Sequence, residues 1–146
     1  MKLTSKGRYA VMAMADLAKN RVEVPTSLTE ISLRQGISIA YLEQLFLKLR
    51  KSNLVQSVRG PSGGYVLTNP PEQIKLLSII NAVDEKIKTV KCKKESKRSC
   101  NGKSIKCITH NLWDELEVHI NKFFADNTLK DILFKEVKNN SEELKQ

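Results

Sequence analysis

Between Ser27 and Leu67, two short helical patterns and a basic, glycine-rich hairpin follow one another with no residue to spare, and that succession admits few folds. Ser27 precedes Leu28, Ile31 and Leu33, with Glu30 three residues after the serine, the reciprocal capping arrangement that opens a helix. The helix is short. Gly36 tolerates the left-handed turn that closes a helix, and Ser38 offers the next cap. Ile39, Leu42, Leu45, Phe46 and Leu49 then recur at three- and four-residue steps, which predicts the apolar face of a second helix ending near Asn53. Its other face displays Glu43, Gln44, Lys48, Arg50 and Lys51.

Leu54 to Val58, a tip from Arg59 to Gly64, and Tyr65 to Leu67 read as two short strands around a flexible basic turn. A helix pair followed by such a hairpin is a winged helix-turn-helix, an arrangement that lays its second helix in the major groove of DNA. The expected fold is therefore mainly α with a small β-hairpin wing, carrying a long C-terminal dimerisation helix.

The flanking segments fit that frame. Leu3 to Asn20 spaces Tyr9, Val11, Met12, Met14, Leu17 and Ala18 as a first helix packing under the reader. Its early Lys2, Thr4, Ser5, Lys6, Arg8 and Tyr9 are placed to touch phosphates, contacts that set register without reading sequence. Past the wing, Asn69-Pro70-Pro71-Glu72 breaks the strand, and Ile74, Leu76, Leu77, Ile79, Ile80 and Val83 predict a buried helix, entered through a short strand. Thr109 then caps a helix with Leu112, Trp113, Leu116, Ile120, Phe123 and Phe124 in one stripe. That is much apolar surface for a small monomer. Pairing across a two-fold axis buries it and suits DNA half-sites, so a homodimer is expected. Thr128 and Asp131 open a last short helix through Leu129, Ile132, Leu133 and Val137, and the tail beyond Asn139 is polar and expected to be poorly ordered. The organisation is a DNA-binding domain at 1–85, a metal- or cluster-binding loop at 86–108, a dimerisation helix and C-terminal helix at 109–138, and a polar tail at 139–146.

Composition narrows the partners. A formal charge of +9 on 146 residues favours a polyanion. Residues 1–66 hold ten Lys/Arg against four Asp/Glu, and residues 86–106 hold nine against one, so these two segments own the basic field. No apolar run is long enough to span a membrane, and Met1 to Arg8 is not followed by the apolar block of a secretory signal, which points to a cytoplasmic protein. No nucleophile–base set, carboxylate pair or phosphate-cradling loop suggests an enzyme.

All three cysteines fall in one pattern, Cys92-x7-Cys100-x6-Cys107-x2-His110. In a reducing compartment a structural disulfide is a poor explanation, and thiolates with one imidazole select zinc, Cu(I) or an iron-sulfur cluster. Zinc sites use short knuckles of two to four intervening residues, whereas only the last pair here is close. The wide spacing favours a [2Fe-2S] cluster, with zinc remaining open. Surrounding lysines favour thiolate over thiol, and Cys107 stands just before the predicted helix, where backbone amides favour negative charge. His119 lies too far along to share a turn with His110 and reads as a surface or dimer-contact residue.

Leu3 to Val11, Arg34 to Ser38, Tyr41 to Phe46, Ser57 to Pro61, Gly63-Gly64-Tyr65, Ala82 to Glu85 and Cys107-x2-His110 together resemble the iron-sulfur cluster regulators of the Rrf family, bacterial winged-helix transcription factors. The likeness covers about residues 1–134, and its Tyr41 to Phe46 and Arg59 to Tyr65 segments are the specific ones. It implies a homodimer on double-stranded promoter DNA that senses cluster status, loaded by the iron-sulfur assembly machinery and regulating genes of cluster assembly. It implies ligation by Cys92, Cys100, Cys107 and His110. DNA contacts would come from Ser38, Tyr41, Glu43, Gln44, Lys48 and Arg50 on the second helix of the pair, and from Arg59 and Gly60 on the wing. Glu43 is a liability near phosphate, yet its carboxylate accepts a hydrogen bond from cytosine. Arg59 suits a narrow minor groove. The cysteine gaps are wider than the family pattern, and Ala40 and Ser62 stand where serine and glycine are expected. The rivals are a same-fold regulator with zinc or a nitric-oxide-sensitive [4Fe-4S] cluster and, from another class, a small redox carrier or RNA-binding module.

Overall fold

Phe46, Leu42, Leu45 and Leu49 project from one helix into a core in which Phe46, Leu42 and Leu49 are completely buried. The computed structural model describes residues 5–20, 23–85 and 108–134. Its elements are α1 (Ser5–Lys19), α2 (Leu28–Gln35), α3 (Ile39–Lys51), β1 (Val55–Val58), β2 (Gly64–Leu67), a single 3-10 turn (Pro71–Gln73), α4 (Leu76–Ala82) and α5 (His110–Asp126), with 129–134 again helical. The same buried cluster takes in Ala10, Ala13, Met14 and Leu17 of α1, Ile31 of α2 and Ile79 of α4. The alanines let α1 come close. Each large side chain so buried contributes about 1.5–3 kcal/mol of transfer free energy.

The caps set the turn between α2 and α3. Ser27 Oγ accepts from the Glu30 amide at 3.2 Å while Glu30 Oε2 accepts from the Ser27 amide at 3.0 Å, so both halves of the capping box form. Gly36 closes α2 at φ 69°, a left-handed conformation that a side chain would strain. Ser38 then caps α3 through the Tyr41 amide at 3.2 Å.

β1 and β2 pair antiparallel with Val55 opposite Leu67 and Val58 opposite Gly64. The strand expected before α4 is reduced to one bridge, Lys75 with Thr128, where the Leu76 amide donates to Asn127 and the Leu129 amide to Ile74. That bridge folds the C-terminal piece back, and Leu129 is fully buried. Residues 135–138 of the expected last helix, and the tail, lie outside the described residues.

Three details depart from the periodicity. Ile39 is 42% exposed and Leu33 81%, because the first lies in α3's opening turn and the second on the outer face of α2. Thr109 stands at the head of α5 but makes no side-chain cap; its hydroxyl accepts instead from Trp113 Nε1 at 3.1 Å.

Periodicity also hides buried acidic residues, Asp16 and Glu85 among those described. Asp16 of α1 is 4% exposed. Its carboxylate accepts from Arg34 Nε at 3.0 Å and Nη2 at 2.7 Å, from Gln35 Nε2 at 2.9 Å, and from Asn20 Nδ2 at 3.1 Å. This clamp ties α1 to the last turn of α2. Burial pushes the carboxyl's pKa up, but the hydrogen bonds from Arg34 and Gln35 and the Arg34 charge outweigh it and hold the group below its ordinary value. A depressed folded-state pKa contributes stability that is complete above the unfolded value of 3.8 and is lost as pH falls through the folded value. Asp16→Asn should cost about 1–3 kcal/mol at neutral pH. In urea melts taken through the acid range, the gap between wild type and variant should close; a constant gap would show that the carboxylate's charge is not the source.

Candidate nucleic-acid interface

The outer face of α3 and the elements beside it form one surface. Glu43, Gln44 and Arg50 are exposed on α3, as are Ser38 at its head and Arg59 and Gly60 at the wing tip. Lys6 and Arg8 are exposed on the first turns of α1. Tyr9 meets Tyr41 edge-on with ring centroids 5.7 Å apart, and Ser5 Oγ lies 3.4 Å from the Tyr41 hydroxyl. The start of α1 is thereby pinned to the start of α3. Thr4 lies outside the described residues.

Lys48 differs from its neighbours. It is half-exposed, and its Nζ sits 3.1 Å from Asp84 Oδ2 at the end of α4. The lysine expected to face DNA is thus already in an ion pair.

Two contacts aim the wing. The Tyr65 ring packs on Phe46 with centroids 4.7 Å apart, so the hairpin rests on the same residue that anchors α3. On its other edge, the Thr26 amide donates to Tyr65 at 3.0 Å and the Tyr65 amide to Thr26 at 2.8 Å. That edge pairing requires a close approach at Gly64, where a β-carbon would stand 2.3 Å from the Thr26 carbonyl oxygen.

Of the predicted cluster ligands, Cys92, Cys100 and Cys107 lie outside the described residues. His110 is the first residue of α5 and is 8% exposed. Its Nδ1 is buried and has no hydrogen-bond partner among the described residues. A buried polar atom in that condition fits a position completed by a ligand. His119 is exposed.

Along α5, Leu112, Trp113, Leu116 and Phe123 are exposed and Ile120 is half-buried, an apolar stripe open on the single chain. Phe124 behaves otherwise: it meets Phe123 at 5.7 Å and packs half-buried on its own chain's core. No helix among the described residues is long and apolar enough to cross a membrane.

Asp16 and Asp84 were not legible as site-supporting residues. An acidic residue within the apolar run Ala13-Met14-Ala15-Asp16-Leu17 is the one signal that marks the first of them.

A family model described as Rrf2, iron-dependent transcriptional regulator, matches residues 3–135. The helix-turn-helix transcriptional regulator IscR of Sodalis glossinidius is 49% identical over 136 residues, covering 93% of this chain and 81% of that protein. Among solved structures, IscR of T. potens superposes with a TM-score of 0.73 at 37% identity, over 93% of this chain and 88% of its own. CymR, the global cysteine regulator of B. subtilis, gives 0.75 at 33% identity, over 90% and 95% respectively.

Gly64→Ala should lower stability by about 1–3 kcal/mol, since backbone must move to admit the methyl group. It should also weaken DNA binding in a gel-shift assay while helical circular dichroism is retained. Wild-type binding and an unchanged urea midpoint would mean that the Thr26 edge does not hold the wing.

Proposed function

The chain belongs to the Rrf2 family of iron-dependent transcriptional regulators, and from that premise we propose that it grips promoter operators as a homodimer and chooses among them by occupancy of a [2Fe-2S] cluster. Cys92, Cys100, Cys107 and His110 would hold the cluster. The observation that carries this is His110: an imidazole taken out of water at the head of α5, three residues past Cys107 in the sequence, with Nδ1 left unpartnered among the described residues. Three thiolates complete a donor set suited to iron and sulfide. The nine basic residues of 86–106 offset the negative charge of thiolates bound to an oxidised core.

When bound, the cluster supplies an iron- and oxygen-responsive group whose gain or loss alters the chain around it. The chain's own residues do the rest. The α5 stripe of Leu112, Trp113, Leu116, Ile120 and Phe123 pairs two chains and spaces their α3 helices for successive half-sites. Ser38, Tyr41, Gln44 and Arg50 contact the groove and its rim, with Thr4, Lys6, Arg8 and Tyr9 on the adjoining phosphates. Arg59 and Gly60 bring the wing to the minor groove. Glu43 discriminates: a carboxylate exposed amid these groups repels phosphate, and it is accommodated where a cytosine amino group donates to it. Genes for iron-sulfur assembly are the targets this reading implies, repressed or activated according to operator, with the assembly machinery as cluster donor.

Protein purified without oxygen should be coloured and carry iron and acid-labile sulfide in equal amounts. His110→Ala should shift the visible spectrum or bleach it. Zinc in place of iron would overturn the cluster, and four irons per chain would overturn its type.

Glu43→Ala should accept a wider set of operators in a binding selection. An unchanged set would remove the discriminating role assigned to this carboxylate.

A further inference from the structure

The end of α4 carries a residue type that its backbone does not favour. α4 stops at Ala82, Val83 follows, and Asp84 stands in the left-handed region at φ 59°. The Asp84 amide donates to Asn81 at 3.1 Å and the Glu85 amide to Ile80 at 3.3 Å, the pair of reversed bonds that ends a helix with a left-handed residue. Glycine takes that position without steric penalty, and a residue with a β-carbon strains it. Nothing in the turn itself uses the Asp84 carboxylate, because both closing bonds are made by backbone. The side chain is 76% exposed, so burial does not explain it either. What the carboxylate does contact is Lys48 Nζ, at 3.1 Å.

Lys48 follows Gln44 by four residues and Tyr41 by seven, on the side of α3 that we assign to DNA. An ammonium at that place is a natural phosphate ligand. Held against Asp84 it already has an anionic partner, and an ion pair this exposed exchanges readily.

We propose that the Asp84 carboxylate is an internal stand-in for a DNA phosphate, which occupies Lys48 and sets the protein's affinity for DNA below what its cations alone would give. This rests on the DNA-binding reading of α3 and adds to it a competitor supplied by the chain itself. Lys48 contributes to binding only when phosphate displaces Asp84. Because phosphates are common to all sequences, the restraint acts on operator and random DNA alike.

The test uses the purified full-length chain and two fluorescein-labelled duplexes, one of random sequence and one recovered by selection with the wild-type protein. Asp84→Asn, which keeps a residue tolerant of the left-handed turn, should tighten binding to both by about threefold to tenfold. It should also steepen the dependence of log K on log salt by about 0.9, the signature of one more phosphate contact. In a Lys48→Ala background the same substitution should give no gain. Asp84→Gly should reproduce the tightening with an equal or higher melting temperature.

Asparagine and wild-type proteins of equal affinity would overturn the inference, as would a gain that persists without Lys48. A lower melting temperature for the glycine variant would show the side chain to be structural and overturn it too. Wild-type protein that binds neither duplex would overturn the DNA-binding reading itself.

Discussion

Phe46 is where the requirements of the fold and of the reading surface meet. A helix that is to enter a groove must leave one face clear, so all of its anchorage has to come from the other. α3 achieves this with Leu42, Leu45, Phe46 and Leu49 buried while Glu43, Gln44 and Arg50 stay in water. Phe46 also receives Tyr65 from the wing. The same buried ring therefore sets the position of the helix and the lean of the hairpin beside it. Small residues in α1 help to make this possible: Ala10 and Ala13 are wholly buried, and bulk there would disturb the packing of the shared core.

Polar ties supply the directional control that apolar packing lacks. Hydrophobic contact is indifferent to small rotations, whereas a carboxylate shared by Arg34, Gln35 and Asn20 tolerates few. Asp16 so fixed holds the last turn of α2, and the left-handed Gly36 passes that orientation on to α3 within three residues. Thr26 does the same for the wing, from the connection just before Ser27. The segment around α2 is thus tethered at both ends, to α1 by charge and to β2 by backbone.

What was legible in the sequence follows the range of the interactions involved. The capping box at Ser27 and Glu30, the glycine stop at Gly36 and the Ser38 cap are decided within four residues, and all of them form. The hairpin was expected one residue longer at its first strand and one shorter at its second. Asp16 with Arg34, Lys48 with Asp84, and Lys75 with Thr128 join residues at least 18 apart, and no local pattern announces them. Ile39 and Phe124 show the related limit. Periodicity assigns a residue to a stripe, but the edge of the stripe is set by the neighbouring element, which leaves Ile39 open to solvent and turns Phe124 to its own core.

The electrostatics of the surface follow from the same ties. Of the cations that sequence reading places on or near α3, Arg34 and Lys48 are each held by an aspartate, so the charge offered to a polyanion is smaller than a count of basic residues indicates. Glu43 reduces it again. Non-specific attraction scales with the number of phosphates neutralised, while discrimination comes from groove contacts that this arithmetic leaves untouched. A reader whose cations are partly spoken for therefore gives up grip on operator and random DNA alike, and the ratio between them is left to the groove contacts. For a regulator whose surroundings are mostly the wrong DNA, the ratio between the two is the quantity that matters.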